Sequence, residues 1–145
     1  VSARLEERVA MVDQARLSHL VGQAMPDQTA SVTNWSYQPL EGDFSGAAVY
    51  RFRGQAQTTE GNKPWSLILK ALRPKSENQA PADDAYWKRE VLLYQSGLLS
   101  DLPRDLLAPR CFEIVEHSDD EIWLWIEDMR AEEGRAEDTE WPLDI

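Results

Sequence analysis

One cysteine (Cys111), two histidines and three asparagines are all that this 145-residue sequence holds of those types, and each scarcity excludes something. A lone thiol builds neither an internal disulfide framework nor a cysteine-rich zinc site. His19 and His117 have no metal-ligand spacing around them, so no metal centre is expected. No apolar run approaches the roughly 18–20 residues that span a bilayer. Charges from Arg4 onward break up the N-terminus before a secretory apolar block could form. A cytoplasmic location and no membrane partner are therefore expected. Basic residues are scarce too, 15 against 26 acidic, for a net charge of -11. Non-specific nucleic-acid binding needs clustered Lys and Arg to displace counterions, so it is excluded as a function class.

The basic deficit is local. Residues 1–112 carry 13 acidic and 13 basic side chains; residues 113–145 carry 13 acidic ones against Arg130 and Arg135 only. A charge-balanced body is followed by an acidic end that includes Glu132, Glu133, Glu137, Asp138 and Glu140. The start at Val1 and the stop at Ile145, just past this stretch, suggest a fragment. One domain suits the length.

Apolar periodicity orders the body. Leu5, Val9, Val12, Leu20 and Val21 recur at three- and four-residue steps and predict a helix over residues 3–24 that packs on a sheet, closed before Pro26. Val32 to Leu40 is strand-like, Gly42 to Gly46 is a turn, and Ala47 to Phe52 is extended. Gly54 to Pro64 is polar and reads as a hairpin loop, and Trp65 to Lys70 is a short apolar strand. A second helix is expected from Asp83 or Asp84 to about Leu99. With Tyr86 at zero, its apolar arc runs from Leu93 at about -20° to Val91 at about 140°, and Glu90 falls inside it at about 40°. Cys111 to His117 and Glu121 to Glu127 form a final hairpin. In its second strand Ile122, Leu124 and Ile126 share one face, and Trp123 and Trp125 share the other. The fold class is α+β: a five-stranded antiparallel sheet with one packed helix at about 83–99 and an N-terminal helix.

Lys70 ends an apolar strand, and Glu90 sits on the buried face of the next helix, twenty residues on. Either charge is costly to bury alone, and an ion pair between them offsets both costs. A lysine held by a helix glutamate beside a glycine turn is an arrangement for binding nucleotide phosphates.

The element order and the segments SLILKALRP, YWKREVLLYQSGLL and EIWLWIEDM resemble the N-terminal lobe of protein-kinase-like phosphotransferases, within the aminoglycoside and choline phosphotransferase group. The resemblance runs from about Ser31 to Met129. It divides the chain into an N-terminal helical extension (1–30), a nucleotide-binding lobe (31–129) and an acidic linker (130–145). It implies ATP and Mg2+ as cofactors and a small-molecule substrate as partner. Lys70 becomes the phosphate-contacting lysine and Glu90 its helix partner. Gly42, Asp43, Phe44, Ser45 and Gly46 form the nucleotide loop. Ile126 takes the gate position behind the adenine pocket, and Glu127, Asp128 and Met129 form the hinge whose backbone binds adenine. The loop is G-x-x-x-G, looser than the G-x-G-x-x-G of protein kinases.

The catalytic aspartate and the magnesium ligands of this family lie in a second lobe. His117-Ser118-Asp119 does not replace them: it falls between two strands, and Leu124 stands where an asparagine belongs. The 145 residues alone are expected to bind nucleotide without transferring phosphate. The alternatives are a non-catalytic kinase-like binding module and an unrelated α+β interaction domain with a structural Lys–Glu pair. An acidic stretch at the mouth of the cleft would favour a cationic acceptor such as an amino sugar or amino alcohol.

Overall fold

A computed structural model of the chain describes residues 3–27, 29–40, 47–74, 88–96, 109–118 and 121–129, with backbone alone for 89 and 90. The N-terminal periodicity forms two helices rather than one, α1 (Ala3–Ala10) and α2 (Gln14–Ala24). Asp13 causes the break. Its extended backbone (φ -112°, ψ 174°) lets the carboxylate accept the Arg16 N–H at 2.9 Å, so it caps α2. The apolar spacing carries across this break, which is why it reads as one helix.

Five strands follow: β1 (Ser31–Leu40), β2 (Ala48–Thr58), β3 (Gly61–Leu72), β4 (Cys111–Ser118) and β5 (Glu121–Glu127), with α3 (Arg89–Ser96) between β3 and β4. All pairings are antiparallel, in the order β1-β2-β3-β5-β4. The expected α+β class and five-stranded antiparallel sheet are both present. The expected loop from Gly54 to Pro64 is not: β2 and β3 pair up to Thr58 and Gly61, leaving Thr59 and Glu60 as the turn. Two local features account for it. Gly61 adopts a φ of 105°, and the Thr58 hydroxyl donates to the Gly61 carbonyl at 2.7 Å. Gly54 serves packing instead, since a Cβ there would lie 2.0 Å from the Asn34 carbonyl oxygen on β1.

Side-chain alternation splits the core between the two sheet faces. Leu5, Val9, Leu17, Leu20 and Val21 of the N-terminal helices pack on Phe52, Leu67, Leu69, Ala71, Trp123 and Trp125. The opposite face carries Leu72, Ile122, Leu124 and Ile126, with Val91 and Tyr94 of α3 against them. The interior position of β5, between β3 and β4 and covered on both faces, explains why six of its seven residues are buried. On α3 the buried arc is narrower than expected: Val91 is buried, whereas Leu93 is 37% exposed. The Tyr94 hydroxyl donates to the Pro109 carbonyl at 2.9 Å and ties α3 to the start of β4.

Candidate functional site

Lys70 lies on β3 between Ile68 and Leu72, both of which belong to the α3 side of the sheet. Alternation therefore puts Lys70 on that face, half-buried, opposite Val49 on β2 and Leu124 on β5. Glu90 falls within α3, the helix that packs on the same face, and its side chain is outside the described residues. The structure thus places lysine strand and glutamate helix together on one side of the sheet. Gly42, Asp43, Phe44, Ser45 and Gly46, expected as the nucleotide loop, lie outside the described residues between β1 and β2.

The gate and hinge residues follow from the β3–β5 ladder. Ile126 pairs with Ile68 and is buried in the α3-side cluster, two ladder positions from the Lys70–Leu124 pair. Glu127, opposite Leu67, is the last residue in register. Its N–H donates to the Arg110 carbonyl at 2.8 Å, and its carboxylate accepts the Arg110 N–H at 3.1 Å. The guanidinium of Arg110 stands 3.6 Å from the same carboxylate, so this arginine, just before β4, is held at the end of β5. Met129 is 37% exposed beyond the strand.

Asp128 holds the least expected arrangement. It is buried, and its Oδ2 lies 3.0 Å from Nε of buried Arg51 on β2. The Ser66 hydroxyl on β3 donates to the same oxygen. Tyr50 and Phe52 face the N-terminal helices, so Arg51 between them faces the Lys70 side. Ser66, four residues before Lys70 on β3, shares that face. The one signal in the sequence was a charged residue in the midst of an apolar run, Val49-Tyr50-Arg51-Phe52. Its partner was 77 positions away and invisible without the strand register.

The other sheet face has its own polar cluster. Glu121, buried at the start of β5, accepts from the Arg8 guanidinium on α1 and from Trp123 Nε1 at 2.7 Å, with Arg73 Nε 3.8 Å away. Burial pushes its pKa up, and the Arg8 and Trp123 hydrogen bonds outweigh this and hold it below the usual carboxylate range. The His117 ring meets Trp123 edge-on at 4.2 Å, and burial lowers its pKa. His117 and Ser118 are residues of β4, and Ser118 pairs with Glu121 across the hairpin. Cys111 is half-buried against the α3-side cluster. Among the described residues no group of three or more His, Cys, Asp or Glu side chains could hold a metal ion, and no helix is long and apolar enough to cross a membrane.

Comparison with protein-family models, with curated proteins and with solved structures returns no match to this chain.

Proposed function

We propose that this chain is the ATP-binding lobe of a small-molecule phosphotransferase of the kinase-like type, working in the cytoplasm. The observation that carries the reading is the shared face of Lys70, Ile126 and Asp128, with α3 packed over the same side. A nucleotide lying under this face would meet the ammonium of Lys70 at its phosphates. Its base would meet the backbone where the chain leaves β5, at Glu127 to Met129. The residues fit this ligand: Val49 and Ile68, next to Lys70 on β2 and β3, offer an apolar roof, and the lysine offers charge to an anion. Bound ATP would supply the γ-phosphoryl group for transfer to a substrate hydroxyl, and an amino sugar or amino alcohol is the acceptor class proposed. In this proposal Lys70 neutralises phosphate charge, Glu90 orients Lys70, and the hinge excludes water from one edge of the base.

The test is nucleotide binding by the chain itself. ATP and ADP should raise its melting temperature, and Lys70→Ala should abolish the rise while leaving the unliganded protein folded. A wild-type chain that ignores both nucleotides would end the proposal.

A further inference from the structure

We infer that Arg51 and Ser66 are positioning residues for the base-binding segment, acting through the carboxylate of Asp128. The inference rests on the nucleotide reading above. The β3–β5 ladder ends at the Leu67–Glu127 pair, so Asp128 is the first residue past β5 without a strand partner to set its direction. A backbone leaving a sheet is directed by whatever side-chain anchors remain. Among the described residues, anchoring contacts run to both sides of the strand. Glu127 is tied toward β4 by its N–H and carboxylate contacts to Arg110. Asp128 is tied the other way, reaching Ser66 on β3 and, beyond it, Arg51 on β2.

Two consequences follow for recognition of the base. The Glu127 N–H is spent on Arg110, so the groups that face the base must come from the rest of the segment leaving β5, up to Met129. The Asp128 carboxylate is directed inward, where a buried charge requires its cation. It therefore orients the segment and does not read the ligand. An arginine suits this task because its rigid guanidinium fixes direction as well as charge. Ser66 precedes Lys70 by four residues on one strand, a separation of about 13 Å. The anchor is thus remote from the phosphates, and its loss should weaken base recognition while sparing phosphate recognition.

The experiment is calorimetric titration of the full chain with ATP and, separately, with inorganic tripolyphosphate, which has the phosphates without the base. Asp128→Asn should lower ATP affinity by about tenfold, the factor carried by a hydrogen bond to a charged group. Ser66→Ala, which keeps the ion pair and hence the fold, should lower it in the same sense by a smaller factor. Tripolyphosphate affinity should stay at the wild-type value in both, whereas Lys70→Ala should lower affinity for both ligands. If Asp128→Asn leaves Arg51 buried without its counter-charge and fails to fold, Ser66→Ala and the apolar double replacement Arg51→Met with Asp128→Leu carry the test. A wild-type ratio of ATP to tripolyphosphate affinity in these variants overturns the inference and leaves the nucleotide reading standing. Wild-type chain that binds neither ligand overturns both.

Discussion

Arg8 on α1 and Glu121 on β5 form an ion pair across 113 residues of sequence, fixing the N-terminal helix to the start of an interior strand. The two partners are unequal. Glu121 is buried, while the Arg8 side chain is 32% exposed. Removing Arg8 leaves a buried carboxylate with weaker support, at a cost of about 1–3 kcal/mol. Arg8→Ala should therefore lower the denaturant midpoint, and Glu121→Gln in the Arg8→Ala background should recover part of the loss. The folded pKa of Glu121 lies below its unfolded value, so its contribution is complete above the unfolded pKa and is lost as pH falls through the folded one. Chemical denaturation of both variants across the acid range measures each effect.

Asp27 predicts a second acid dependence at a different place. Its carboxylate accepts from the Thr29 hydroxyl at 2.6 Å and N–H at 2.9 Å, and from the Thr59 N–H and hydroxyl at 3.1 Å each. These bonds, led by the Thr29 hydroxyl, pull its pKa from 3.8 down to about 2. Folding is therefore favoured above the ordinary value, and that contribution disappears as pH falls from 3.8 toward about 2. Asp27→Ala should flatten this part of the stability profile, with thermal melts between these pH values as the readout.

Gly54 on β2 lies hard against the backbone of β1. A methyl group there would meet the Asn34 carbonyl oxygen at 2.0 Å and Trp35 Cα at 2.8 Å, both backbone atoms that cannot turn aside. The irregular register between Val32 and Asn34 lies at the same place. Gly54→Ala should cost about 2–3 kcal/mol or detach the start of β1, in the range of overpacking at a tight site. Amide exchange would show the damage as lost protection in residues 31–36 before any loss in β3 and β5.

Much of the fold was legible because alternation and turn residues are local signals. Ile122, Leu124 and Ile126 do part from Trp123 and Trp125 onto opposite sheet faces, as their spacing predicts. The break at Asp13 was missed because the apolar pattern runs through it, although an aspartate three residues before Arg16 was a capping signal. The length of the β2–β3 hairpin is not legible because polar residues at the turn end of the two strands look like loop. The site was legible only in part. Lys70 and the helix that holds Glu90 could be placed on one side from order and period. The Arg51–Ser66–Asp128 cluster depends on three strands coming into register, which no local pattern encodes.

The most direct measurement is a nuclear magnetic resonance titration of the isotope-labelled chain with ATP, because the two sheet faces carry separate reporters. The central claim predicts shifts at the amides of Lys70 and of Ile126 to Met129, with the Trp123 and Trp125 indole N–H signals on the face covered by α1 and α2 unmoved. It predicts loss of those shifts in Lys70→Ala. Shifts confined to the tryptophan face, or none at saturating ATP, would contradict it.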